Sequence, residues 1–187
     1  MQHDITIGPI RPTDTLSILG IQMQNHRSSL KLDEQKDGYV TLLTPPVYLG
    51  RHDVRNHIHV ARHKHELLQG KIAGYIISAN KDTVHGHEAL TAFKNKLEEV
   101  GYHNPAIIVQ VCVARDHAGE RSGVGKKLYE HMEKNLHRTQ HEWLMTQVDS
   151  NNSTAHRFYR SLEFKAVGQA YEDEYGNIMT IMGKQLG

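Results

Sequence analysis

Ala106-Ile107-Ile108-Val109-Gln110-Val111-Cys112-Val113-Ala114-Arg115, then Gly119-Glu120-Arg121-Ser122-Gly123-Val124-Gly125-Lys126-Lys127-Leu128-Tyr129, carries the strongest structural signal in the chain. Ala106 to Val113 is a nearly continuous apolar run, the pattern of a central strand covered on both faces. Beyond a glycine-rich turn, Val124, Leu128, Met132 and Leu136 recur in steps of four, so one helical stripe faces the core. A strand that passes through glycines into a helix leaves the first helical N–H groups without backbone partners, at the positive end of the helix dipole. Such a junction is a site for phosphate, and glycine suits it because a side chain would keep the backbone from closing on an anion.

Working outward, Ile5, Ile7 and Ile10 suggest a first strand, and Thr13 or Asp14 caps a helix with Leu16, Leu19, Ile21 and Met23 on its apolar side. A short second helix runs from Asp33 toward Leu43, and Pro45-Pro46 ends it. His57 to His63 alternates as a strand with one polar face, and Gln69-Gly70-Lys71 turns it into the antiparallel partner Ile72 to Ile77. His87 to Val100 reads as an amphipathic helix stopped by Gly101. Trp143 to Val148 is the next strand, Asn152 opens a short helix, Phe164 to Ala170 is extended, and Asn177 to Met182 closes the sheet after a turn at Tyr175-Gly176. Strands and helices alternate in the middle while hairpins flank them, which makes a mixed α/β domain spanning residues 1–187.

Charge and composition narrow the function classes. Twenty-two Lys and Arg against 21 Asp and Glu leave no global field to favour nucleic acid or an acidic membrane. A mean hydropathy of −0.57 fits a polar surface over aliphatic strands. The single cysteine, Cys112, excludes an internal disulfide framework. Met1-Gln2-His3-Asp4 has no basic-then-apolar leader pattern, and no run approaches the ~18 apolar residues of a membrane span; the expected location is cytoplasmic. Fifteen histidines invite a metal hypothesis. However, His57, His59, His63 and His65 alternate along one strand face and do not converge, so no metal is expected. A nucleotide P-loop is excluded by spacing: Gly119 is one residue too far from Gly125-Lys126, and Lys127 stands where a magnesium-holding hydroxyl is needed.

A second constellation lies downstream, Asn151-Asn152-Ser153-Thr154-Ala155-His156-Arg157-Phe158-Tyr159-Arg160-Ser161-Leu162-Glu163-Phe164. Asn152 is a good N-cap, and Ala155 and Tyr159 follow it on one helix face. Together the two segments resemble the acetyl-CoA-binding motifs of the GNAT superfamily of N-acetyltransferases: a strand ending V-x-V, a turn Arg/Gln-x-x-Gly-x-Gly/Ala, and later N-x-x-A-x-x-F-Y-x-x-x-G-F. The likeness runs from Gln110 to Phe164. Two departures stand out. Glu120 occupies the position where the family carries Arg or Gln, unless two residues are inserted and Arg121 supplies the cation. Glu163 replaces the glycine before Phe164.

The resemblance implies a mixed, mostly antiparallel sheet flanked by helices, and transfer of an acetyl group from acetyl-CoA to a primary amine of a small molecule or amino-acid-like substrate. Backbone groups of Arg121, Ser122, Gly123, Val124 and Gly125, with Lys126 beside them, would hold the pyrophosphate. Val111 and Val113 would pair with the pantetheine arm, and Asn152 and Ala155 would line it. Tyr159 would protonate the departing thiolate. His117, His131, His141 and Glu142 are candidate bases by location, and Glu172-Asp173-Glu174 either attracts a cationic acceptor or forms a solvated turn. The alternatives are a non-catalytic acyl-CoA-binding regulatory domain of the same fold and a protein acetyltransferase. The implied partner is a small-molecule amine rather than nucleic acid or membrane, with room for a homodimer.

Overall fold

A computed structural model describes residues 4–36, 38–64, 71–80, 90–117, 122–136, 141–173 and 175–187. The strands are β1 (Ile5–Pro9), β2 (Ile58–His63), β3 (Ile72–Ala79), β4 (Ala106–Val113), β5 (Trp143–Asp149), β6 (Lys165–Ala166), β7 (Tyr171–Glu172) and β8 (Ile178–Gln185). They form one sheet in the order β1-β2-β3-β4-β5-β8-β6, with β7 also pairing β8. Every pairing is antiparallel except β4 with β5. That parallel step needs a crossover, which α5 (Val124–Leu136) supplies. The other helices are α1 (Thr15–Asn25), α2 (Leu32–Gln35), α3 (Pro46–Gly50), α4 (Thr91–Glu99) and α6 (Ser153–Ser161).

Helices cover both faces. α5 and α6 bury Leu128, Met132, Tyr159 and Leu162 against Ile76, Ile108, Leu144 and Val148. On the opposite face α1 and α3 pack Ile18, Ile21 and Leu49 on Ile58, Val60 and Ile77, and α4 sets Phe93 and Leu97 on Ile107, Met145 and Ile181. Each such aliphatic side chain contributes about 1.5–3 kcal/mol when fully buried. Beneath α1, a buried ion pair joins Arg62 of β2 to Asp14.

Several expectations are corrected. The buried face of α1 is Ile18, Ile21, Gln22 and Asn25, while Leu16 and Met23 face solvent. Two polar residues sit inside because their amides serve backbone: Gln22 Oε1 accepts from Thr44 N–H at 2.8 Å, and Asn25 Nδ2 donates to the Ile21 carbonyl at 2.8 Å. The second helix is only one turn, and Pro46 begins α3 rather than ending a helix, since proline fits a first helical turn. The β2 face expected to be polar is covered: His59 and His63 are buried. The strand expected over 164–170 is reduced to β6. Glu163 adopts φ 70°, the left-handed backbone that explains why glycine is usual there. The turn at 69–71 and the helix start at 87–90 fall largely outside the described residues.

Candidate active site

The sheet opens in its middle. β4 and β5 are in register only at Ala106 with Leu144 and Ile107 with Met145; beyond that β5 pairs with β8 alone. A register shift opposite Ile77 and Ser78 places an extra residue in β4 between Ile108 and Gln110, and such a bulge bends its strand. The Ala114 N–H donates to the Ala73 carbonyl at 2.9 Å. Backbone directions alternate along a strand, so Cys112 and Ala114 turn toward β3 while Val111 and Val113 turn toward the gap. Asn25 Nδ2 reaches the Val113 carbonyl at 3.5 Å from the α1 side.

The start of α5 stands at the wide end of this gap. Gly123 has φ +64°, a conformation that a side chain disfavours. A Cβ on Gly125 would lie 3.4 Å from Phe158 and 3.7 Å from Val113, so the first turn of α5 presses against both α6 and β4. The Val124 N–H reaches Ser122 Oγ at 3.4 Å. Lys126 is exposed, 3.9 Å from Glu130. Glu120 and Arg121 lie outside the described residues.

Tyr159 of α6 is buried in the core cluster with Leu128, Leu144 and Phe164 and is only 6 % exposed. Its ring meets Phe158 and Phe164 edge-on at 5.2 and 5.3 Å. Burial pushes the phenol up to about 12, with the neighbouring Thr146 hydroxyl acting in the opposite direction. Thr146 in turn donates to the Ile108 carbonyl at 3.1 Å, bridging β5 to β4 just where their backbones part. Ala155 is half-buried beside this cluster. Asn152 caps α6, accepting from Ala155 N–H at 3.0 Å, and its Nδ2 donates to the Tyr39 carbonyl at 2.8 Å. Both ends of that amide are therefore engaged by protein.

On the other face the segment between α1 and α3 folds across the gap. Gln110 joins it to β4, accepting from the Tyr75 hydroxyl at 2.7 Å and donating to the Leu42 carbonyl at 2.8 Å. Arg27 Nη1 donates to the buried Asp149 carboxylate at 2.9 Å and to Asn177 Oδ1 at 3.0 Å, tying the segment to β5 and the last hairpin. Tyr39 lies beneath the Arg27 guanidinium, its phenol raised to about 12 by burial and the nearby Asp149. Tyr171 donates to Gln147 Oε1 across the same face. The sequence offered signals for three of these residues: Gln110 and Thr146 interrupt apolar strands, and Asp149 directly precedes the Asn152 motif. Arg27, Tyr39 and Tyr171 had none, because their roles depend on chain crossings.

Of the candidate bases, His131 packs on His59 of β2, two strands away from β4. His141 and Glu142 precede β5 at the closed end of the gap, where His141 bonds the Asn104 carbonyl. His117 closes the turn after β4 and bonds His63. In the acidic hairpin, Asp173 accepts from the N–H groups of Tyr175 and Asn177, so its carboxylate builds the turn; Glu174 lies outside the described residues. Among the described residues no group of three or more His, Cys, Asp or Glu is arranged to hold a metal ion, and no helix is long and apolar enough to cross a membrane.

A family model described as an acetyltransferase (GNAT) domain matches residues 55–166. No curated protein matches the sequence. Among solved structures, a chain of the NatC complex bound to Gag peptide and CoA superposes with TM-score 0.65 at 14% identity, covering 98% of this chain and 99% of that one. Ard1 from Thermoplasma volcanium gives 0.63 at 16%, covering 97% of each. The ribosomal-protein-S18-alanine N-acetyltransferase from Escherichia coli gives 0.60 at 17%, covering 97% and 94%.

Proposed function

This chain belongs to the GNAT acetyltransferase family, and from that premise we propose that it transfers an acetyl group from acetyl-CoA to a primary amine by direct attack. What supports the reading is the closeness of three elements: the β4 edge that β5 leaves beyond Ile107, the first turn of α5, where a Cβ on Gly125 would lie 3.7 Å from Val113 and 3.4 Å from Phe158, and Tyr159, which follows Phe158 on α6 beside Thr146. The N–H groups opening α5 suit a pyrophosphate, since glycine at 123 and 125 lets an anion approach the backbone. The edge of Val111 and Val113 suits an amide-bearing arm, and an N–H there can also stabilise negative charge on a thioester oxygen.

In this reading the amine nitrogen bonds to the acetyl carbon, the carbon–sulfur bond breaks, the nitrogen loses a proton and the sulfur gains one. The raised pKa of Tyr159 keeps its proton on oxygen at neutral pH, so it enters as the donor to the departing sulfur. The proposed acceptor is a small or amino-acid-like primary amine in the cytoplasm. A second reading, the amino terminus of a polypeptide, is favoured by solved structures of matching length that hold peptides or peptide-like ligands, such as the NatC complex and Naa50 from Arabidopsis thaliana with CoA-Ac-MVNAL.

Tyr159→Phe is expected to lower kcat by about 10²–10⁴-fold with little change in acetyl-CoA affinity. An unchanged kcat removes the role. Thiol release with a panel of small amines and short peptides separates the acceptor classes. A protein that binds CoA yet releases no thiol with any of them is a binding domain instead.

A further inference from the structure

Thr146 is a polar residue set in an apolar face. Its neighbours two places away along β5, Leu144 and Val148, belong to the core cluster that holds Ile108, Tyr159 and Phe164, whereas Met145 belongs to a cluster on the opposite face. Side chains alternate along a strand, so Thr146 points to the same side as Tyr159, and it is only 2 % exposed. It is also the first β5 residue beyond the last ladder pair with β4, Ile107 with Met145. There its hydroxyl donates to the Ile108 carbonyl at 3.1 Å, a side-chain bond where the backbone pairing has stopped.

Burying a hydroxyl among apolar groups costs free energy unless it is hydrogen-bonded. A hydroxyl carries one proton and two lone pairs, and its proton rotates to suit its surroundings. With that proton on the Ile108 carbonyl, the lone pairs are open to a donor, and the Tyr159 phenol is beside them. A neutral phenol can donate to Thr146 and be held there. A phenolate cannot donate, but it is a stronger acceptor than a carbonyl, because hydrogen bonds to ionised groups are roughly twice as strong. Rotation about one C–O bond then turns the Thr146 proton from Ile108 to the phenolate oxygen. Thr146 does favour the charged form of Tyr159, against burial, which opposes it.

We propose that Thr146 is a positioning residue for the proton transfer: its hydroxyl holds the Tyr159 phenol at the fork of β4 and β5, then turns from the Ile108 carbonyl to stabilise the phenolate left when the proton passes to sulfur. The inference rests on Tyr159 as the donor. In that step the phenol O–H bond breaks and an S–H bond forms on CoA. The proton given up by the amine nitrogen restores the phenol through solvent, and Thr146 keeps its own proton throughout.

The test is single-turnover thiol release from acetyl-CoA, with spermidine, tyramine and a serine–alanine tripeptide as acceptor probes, and circular dichroism to confirm the fold of each variant. Thr146→Val keeps the branched shape and removes the hydroxyl; Thr146→Ser keeps the hydroxyl and removes a methyl. The valine variant is expected to be about 10–100-fold slower, the loss of one hydrogen bond to a charged group, with acetyl-CoA affinity within about twofold of wild type. The serine variant should regain most of that rate. A valine variant as fast as wild type, or a serine variant no faster than valine, refutes the proposal, the second because it makes Thr146 a packing residue only. In a Tyr159→Phe background, Thr146→Val should cost nothing further. A second full loss there also refutes it, since Thr146 would be acting without the phenol. If Tyr159→Phe alone is as fast as wild type, the donor reading falls and this inference with it. If no probe releases thiol from the wild-type protein, acetyl transfer itself is overturned, and the role of Thr146 too.

Discussion

His59 makes the stability of this protein depend on pH in a calculable way. It is 7 % exposed in β2, lies against the His131 ring, and its Nδ1 is buried without a hydrogen-bond partner. Burial first, then the neighbouring His131 and His57, lower its pKa to about 4, against about 6.5 in an unfolded chain. The unfolded state therefore binds the proton more readily. The contribution is complete above pH 6.5 and is lost as pH falls toward 4. Linkage between these values gives a loss of about 2 kcal/mol on going from pH 7.5 to 5.0, or about 4–8 °C in Tm for a chain of this size. His57 and His131 are shifted downward for the same leading reason, burial, and add to the slope. Urea unfolding at both pH values, on wild type and His59→Leu, measures it. At pH 7.5 the variant should lie within about 1 kcal/mol of wild type, since leucine removes a buried nitrogen that has no partner. At pH 5.0 it should have lost about 2 kcal/mol less than wild type. Equal losses in the two proteins would rule out His59 as the source of the pH dependence.

Two further outcomes follow from the geometry. Asn152→Ala removes the α6 cap and the bond to the Tyr39 carbonyl; it should cost about 1–2 kcal/mol in chemical denaturation and weaken acetyl-CoA binding by displacing α6. Gly74→Ala places a Cβ 2.7 Å from the Cys112 carbonyl oxygen and 3.1 Å from Val113 Cα; β4 must then shift away, lowering Tm and raising the KM for acetyl-CoA together.

The parts of the fold that were legible before the structure are those set by local pattern. The Ala106–Val113 run, the four-residue stripe of α5 and the Asn152 cap each predict an element, and each element is present. α1 was legible as a helix but not in its orientation, because hydropathy ranks Leu16 and Met23 above Gln22 and Asn25, whereas specific hydrogen bonds decide which face is buried. β2 misled for a related reason: alternating histidines look solvated until α5 is laid over them. On the candidate site, spacing put Asn152, Ala155 and Tyr159 on one helix face, while the family resemblance alone implied that Tyr159 and the glycines of α5 serve one ligand. The closing face, built from Arg27, Asp149, Tyr39 and Asn177, joins chain segments far apart in sequence, and no local signal encodes such a meeting.

The parting of β4 from β5 also bears on mechanics. With two residue pairs as the only β4–β5 backbone stitching among the described residues, the sheet is two half-sheets joined at Ala106 and Ile107. An amide-bearing guest that lay along Val113 would act as a surrogate strand, so loading the donor should stiffen the molecule across its midline.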